Sequence, residues 1–330
     1  MTRHRIFKLL SFLGPFLGLA LVVLAFAIGE RVMTDGPPRL LSAQNLRSIS
    51  ADTATVAVAG LGMTIIILAG GIDLSAGTML ALASVIVAWC LREGTGWPVA
   101  LFAGLVGGAV SGGLNGIVIA KGRIVPFIVT LGTMMVWVGV AKIVADETTV
   151  RPDLYTQVPE WLRNFLSPSE QRAVLGLPLG VWIATAMAIG TALVISKTVF
   201  GRHITAIGSN EEAARLSGLP VDRLKIAVYA IGGMFFGIAG VYLFSRMAIG
   251  DPTQGMGMEL YVIAAVIIGG GSLSGGRASV AGTLAGAAIM GVIKSGCTQL
   301  GYSNPTQEIA LGVIIVAAVA VDRWRQRRSG

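Results

Sequence analysis

Charge is scarce in this 330-residue chain, where 13% of residues are charged against about 25% in an average soluble domain. So few charges leave little room for a separate soluble domain, and residues 1–330 read as one integral-membrane unit. Histidine and cysteine are scarcer still, at two each. His4, His203, Cys90 and Cys297 are too scattered to assemble a zinc site. The two cysteines read as small buried thiols, with a disulfide as the alternative. No Gly-x-x-x-x-Gly-Lys-Ser/Thr stretch occurs, so the chain lacks the phosphate-cradling loop of an ATPase. No Ser–His–acid set can be brought together either, and no cofactor is expected. Ionisable residues inside apolar runs are few. Lys142 and Lys294 lie near run ends, from which a lysine can snorkel to the interface, and Glu308 opens the last run. That poverty speaks against a carrier driven by protons or ions.

Apolar residues fill the space left by charge. They make up 54% of the chain, with 45 glycines and a mean hydropathy of +0.77, and glycine is commoner in transmembrane helices than in soluble ones. The expected fold class is all-α: a polytopic membrane protein. A ruler of about 20 apolar residues per span gives roughly ten helices, near 10–29, 54–70, 76–91, 97–119, 124–144, 178–198, 224–246, 259–270, 278–297 and 306–322. The first run, with Ala25-Phe26-Ala27, also suits a signal peptide, although it is long enough to span. Basic residues gather in blocks: Arg3, Arg5 and Lys8; Lys121 and Arg123; Lys197, Arg202, Arg215, Arg223 and Lys225; Arg323, Arg325, Arg327 and Arg328. Such blocks mark cytoplasmic loops and, without stacking aromatics, do not indicate nucleic acid despite the net charge of +8. Both termini and the loops at 120–124, 199–223 and 271–277 are therefore expected in the cytoplasm. The loops at 30–53, 145–177 and 247–258 face outward and hold most acids: Glu30, Asp35, Asp146, Glu147, Asp153, Glu160, Glu170 and Asp251. Within the long external loop, Trp161, Leu162, Phe165 and Leu166 share one face of PEWLRNFL, which suits a helix lying on the membrane surface.

Glycine is also patterned. Gly104, Gly108, Gly112 and Gly116 line one helix face, and Gly14/Gly18, Gly233/Gly237 and Gly282/Gly286 repeat the spacing that lets helices approach closely in lipid. A longer pattern occurs twice. GGIDLSAG at 70–77 and GGGSLSGG at 269–276 agree at five of eight positions: Gly70/Gly269, Gly71/Gly270, Leu74/Leu273, Ser75/Ser274 and Gly77/Gly276. Asp73 and Ser272 occupy matching places, and both residue types favour helix N-caps. The pair suggests two related hairpins flanking a central path, since internal repeats in transporters often flank the substrate route.

The largest cytoplasmic loop reads FGRHITAIGSNEEAARLSGLPVDRLK. Ser209 or Asn210 can cap a helix, Glu211 and Glu212 stand in the first turn where the helix dipole favours acids, and Gly218 with Pro220 ends it. A stiff surface helix of about two turns results, either a plain connector or a docking element. Small Ala213 and Ala214 leave room for close approach by a partner.

The segments AGGIDLSAGTML, LNGIVIAKGRIVPFIVTLGTM, FGRHITAIGSNEEAARLSG, GIAGVY at 237–242 and ELYVIAAVIIGGGSLSGGRASVAGTLAGA together resemble the permease subunit of monosaccharide ABC importers of the ribose/xylose/arabinose/galactose class, from the second span onward. The resemblance implies import of a monosaccharide across the bacterial inner membrane, with no bond chemistry on this chain. It implies a second permease copy or paralogue, a twin-cassette cytoplasmic ATPase and a periplasmic sugar-binding protein. The Glu-Ala-Ala-x-x-x-Gly loop then becomes the coupling helix that docks on the ATPase, a role falling on Asn210, Glu211, Glu212, Ala213, Ala214, Arg215 and Gly218. Asn115 and Thr130, polar residues in or near spans of family-like segments, are candidates to line or support the route, or to bond helix to helix. A secondary carrier of small polar solutes is the alternative function.

Overall fold

The computed structural model describes residues 2–33, 37 and 39–329, with side chains described over 13–33, 37, 39–314, 316, 317 and 320. Asp35, and the side chains of Arg3, Arg5, Lys8, Arg323, Arg325, Arg327 and Arg328, lie outside the described set. Among described residues the chain is helical, and its extended pairings are two isolated bridges, Val150 with Gly250 and Val174 with Leu177. The helices are α1 (Thr2–Met33), α2 (Ala43–Leu68), α3 (Ala76–Arg92), α4 (Trp97–Gly122), α5 (Pro126–Val144), α6 (Glu160–Asn164), α7 (Leu179–Lys197), α8 (Val199–Ser209), α9 (Glu211–Leu216), α10 (Val221–Met247), α11 (Met258–Ile268), α12 (Val280–Gln299) and α13 (Asn304–Ser329).

Local chemistry sets many boundaries. Ser42 caps α2 by accepting from the Asn45 N–H at 3.3 Å. Proline opens α5 and stands in the first turn of α4, where its missing N–H has no helical partner to lose. The Glu30 carboxylate, in the last turn of α1, holds the following loop against the helix by accepting from the Arg39 and Leu40 N–H groups, at 2.6 and 3.0 Å.

The multi-pass, all-helical expectation holds. Seven helices among the described residues are long and apolar enough to cross a membrane: α1 over Leu13–Met33, α2, α4, α5, α7, α10 and α12. Two more apolar helices are shorter, α3 with 17 residues and α11 with 11. At 1.5 Å per residue α11 covers about 16 Å, roughly half a bilayer core. Gly250 packs on Val85 and Ala88 of α3, whereas Gly255 packs on Gly77 and Ala81. The 248–258 stretch thus runs down along α3 before α11 begins. Helix α2 starts at Ala43, well before the apolar run near 54, because the polar stretch 43–53 continues the same helix.

Helix α10 threads the centre, touching α2, α3 and α4. Its approach to α4 is made by glycine. A methyl on Gly108 would meet the backbone of Gly233 and Gly237, and one on Gly112 would meet the Tyr229 carbonyl. The Gly282/Gly286 face likewise rests on Gly269 and Ala265, but among the described residues nothing lies within 4 Å of a methyl placed on Gly14, so there the first glycine pair makes no such seam. Cys90 and Cys297 are both free and buried, which excludes the disulfide alternative.

The 145–177 loop corrects an expectation. Its helix α6 has five residues, and Leu162, Phe165 and Leu166 are buried in protein instead of lying on a membrane surface. Phe165 stacks edge-on against Tyr242 of α10 at 4.9 Å, and the Tyr242 hydroxyl donates to the Gly180 carbonyl at 2.8 Å. Trp161 continues the aromatic column to Trp97 at 5.2 Å. The loop closes one end of the bundle as a plug. Loops 30–53, 145–177 and 247–258 meet there, through Arg47–Glu170 at 3.3 Å and the Val150–Gly250 bridge.

Candidate functional site

At the opposite end the 199–223 loop forms a corner of two helices. The Asn210 side chain caps α9 by accepting from the Ala213 N–H at 2.9 Å. The far end closes with Gly218 donating to the Arg215 carbonyl at 3.0 Å and Leu219 to the Ala214 carbonyl at 3.2 Å, with Gly218 at φ +82°. That left-handed conformation suits glycine and ends the helix. Glu211 pairs with Lys225 of α10 at 2.7 Å and with Arg215 at 3.4 Å, and Arg215 also reaches Asp222 at 2.8 Å. These ion pairs pin α9 to the start of α10. Glu212 and Ala213 are exposed.

Ala214 departs from expectation. It is 5% exposed and packs into a small cluster with Ile207 and Val221; it holds the corner together and offers nothing to a partner. The outward apolar group is Leu216, 89% exposed. Helix α9 has six residues, too short for a hydrophobic period to reveal in sequence which side faces in.

The doubled motif proves to be a doubled helix stop. Gly70 donates to the Ile67 carbonyl and Gly71 to that of Ile66, both at 2.9 Å; Gly270 donates to Ile267 at 2.9 Å and Gly271 to Val266 at 2.8 Å. Gly70 and Gly270 hold the left-handed turn, at φ +81° and +91°. Structural equivalence is therefore Gly70 with Gly270, one residue off the sequence match that sets Gly70 against Gly269. Beyond the stop the copies diverge. Asp73 accepts from both the N–H and the hydroxyl of Ser75; it caps the turn ahead of α3, whose own N-cap position is Ser75. Ser272 is not the N-cap of α12. Its hydroxyl meets that of Ser274 at 2.8 Å, and α12 is capped by Ser279, accepting from the Gly282 N–H at 3.0 Å. Gly77 sits on α3 beside Glu259.

Asn115 and Thr130 are both fully buried. Asn115 bridges α4 to the first turn, its Nδ2 donating to Ser75 Oγ at 2.9 Å and Asp73 Oδ2 at 3.4 Å. Thr130 donates to the Pro126 carbonyl in its own helix at 2.9 Å. The Tyr229 hydroxyl donates to the Ile72 carbonyl at 3.2 Å. A cavity of about 310 Å³ opens between this turn and α9, lined among others by Gly70, Gly208, Asn210, Glu211, Lys225 and Tyr229. Sequence reasoning missed the Asp52–Arg246 ion pair at 2.9 Å and buried Glu259. Asp52 lies just before the expected second run, and Glu259 opens the half-length α11.

A charge-poor, multi-pass helical bundle of this kind is an integral membrane protein, with no cluster of three or more His, Cys, Asp or Glu residues to hold a metal among the described residues. Comparison with known proteins narrows the class. The chain belongs to the family described as branched-chain amino acid transport system / permease component, which matches residues 45–319. It is similar to the ribose import permease protein RbsC of Escherichia coli K12, 37% identical over 289 residues and 88% of each chain. RbsC of Bacillus subtilis 168 is 37% identical over 313 residues, 94% of this chain and 92% of its own. The L-arabinose transport system permease protein AraH of Escherichia coli K12 is 34% identical over 290 residues, 88% of this chain and 86% of its own. No solved structure matches. The protein is thus a multi-pass permease component of a transport system and not an enzyme.

Proposed function

We propose that this chain is the membrane-spanning subunit of an ATP-driven importer that carries a monosaccharide inward across the bacterial inner membrane. The observation that carries this reading is similarity to ribose and arabinose permeases along nearly the whole chain, joined by a rigid, capped surface helix that presents Leu216. Residues 1–330 act as one permease domain with ten spans, α3, α11 with its preceding stretch, and α13 included, and both termini in the cytoplasm. The basic blocks around 199–223 and the acids of 145–177 support that orientation.

In this reading 199–223 is the coupling loop. Asn210, Glu211, Arg215 and Gly218 shape α9, Ala214 anchors it to α8, and Glu212, Ala213 and Leu216 face a twin-cassette ATPase. A periplasmic sugar-binding protein delivers the sugar on the side of the 145–177 loop, and a second permease copy or paralogue completes the pathway. Gly70, Gly71, Gly269, Gly270 and Gly276, with Ser75, Ser274 and Gly77, shape the turns at the inner end. Asn115 and Thr130 support the route by fixing helices around it, Asn115 through the Asp73 turn.

Proteoliposomes containing this chain, the ATPase and the binding protein test the reading with labelled ribose, arabinose, xylose and galactose. Uptake of one sugar that requires ATP and all three components is expected. Uptake by this chain alone, without ATP, would establish the secondary carrier instead.

A further inference from the structure

The two glycine turns lie far apart in sequence, yet both touch a single residue, Gly208. This glycine is in the last turn of α8, two residues before the Asn210 cap of α9. A methyl on Gly208 would run into the Leu68 carbonyl and lie 2.6 Å from the Gly276 nitrogen. A methyl on Gly275 would lie 2.6 Å from the Gly208 carbonyl oxygen and 2.7 Å from the Gly70 Cα. One hydrogen bond joins the turns directly, Gly276 N–H to the Leu68 carbonyl at 3.1 Å. Three stretches of backbone thus meet with no side chain between them. Gly208 has an ordinary helical conformation, so space alone requires glycine there.

We infer that Gly208, Gly70 and Gly275 form one rigid joint through which movement of α9 is delivered to the α2–α3 and α11–α12 turns at once. Backbone in direct contact has no rotamer to absorb a displacement, and packed elements shift as units. Two internal fixings make the lever stiff: the Ile207–Ala214–Val221 cluster and the Asn210 N–H bond to the Ala206 carbonyl at 3.0 Å. Gly208, Gly70 and Gly275 are positioning residues: the first hairpin meets α8 at its stop, Gly70, and the second at Gly275, beyond its own stop at Gly270. This inference rests on the importer reading above.

The test uses the reconstituted complex of permease, ATPase and binding protein. Wild type must first bind the ATPase and respond to sugar-loaded binding protein, since failure at that stage counts against the importer reading and not against the joint. Gly208→Ala wedges the joint. It is expected to keep ATPase co-purification and basal hydrolysis while stimulation by loaded binding protein falls about tenfold or more, within the usual range of coupling between sites. Normal stimulation and uptake in this variant would overturn the inference. A second arm does not depend on that variant folding. Ser209→Cys with Ser274→Cys keeps every glycine of the joint; both residues line the cavity beside it, and both native cysteines are buried. Bridging the two thiols with a short, reducible bis-methanethiosulfonate should leave uptake at the level of the same unbridged variant, because a rigid joint loses nothing by being locked. Loss of uptake on bridging, restored by reductant, would mean that the surfaces slide, and the rigid joint would be wrong.

Discussion

The two ends of the bundle are built from opposite materials. At one end rings interlock: Trp97, Trp161, Phe165 and Tyr242 form a column of edge-on contacts, and the loop at 145–177 folds over it. At the other end backbones touch at Gly70, Gly208 and Gly275, and an ion-paired corner carries α9. Large side chains contribute stability through buried area but can settle into a new packing. Glycine contacts contribute little area and permit almost no adjustment. The difference separates an end that holds the fold from an end that passes on movement.

Four substitutions sharpen that contrast, in falling order of expected effect. Gly112→Leu should cost about 3 kcal/mol or more, because overpacking against the Tyr229 backbone finds no room to relax. A collapse in yield and melting temperature in detergent would register it, and a stable variant would refute the α4–α10 seam. Phe165→Ala should cost about 3 kcal/mol by leaving a cavity at the plugged end, while the variant that survives keeps its ATPase response per assembled complex. Leu216→Asp should leave the melting temperature unchanged, since the side chain is 89% exposed, but weaken ATPase binding by roughly 30-fold if Leu216 anchors the contact. Titration of labelled ATPase onto the purified permease measures this directly. Asn210→Ala should lower stability by about 1 kcal/mol through loss of the cap, small enough to need a thermal melt beside wild type.

Legibility in sequence followed the range of the interaction. The caps of α9 were readable because Asn210 and Ala213, or Gly218 and Arg215, are near neighbours and the residue types carry the geometry. The glycine seam of α4 was readable from its four-residue period. The inward side of Ala214 was not, since one and a half turns carry no period. The match to Asp73 points to Ser272, but α12 is capped by Ser279, seven residues later. Nothing local links residues 68, 208 and 276, so their meeting is visible only in the fold. The α6 helix is a different case. Its apolar face was read correctly, but periodicity says that a face is buried and not whether lipid or Tyr242 buries it.

On the importer reading, the α9 end meets the ATPase. A photo-crosslinking amino acid at Leu216, activated in membranes that hold the assembled transporter, tests this contact. A permease–ATPase adduct is expected. An adduct with the periplasmic binding protein, or none from a complex that still transports, would refute the contact.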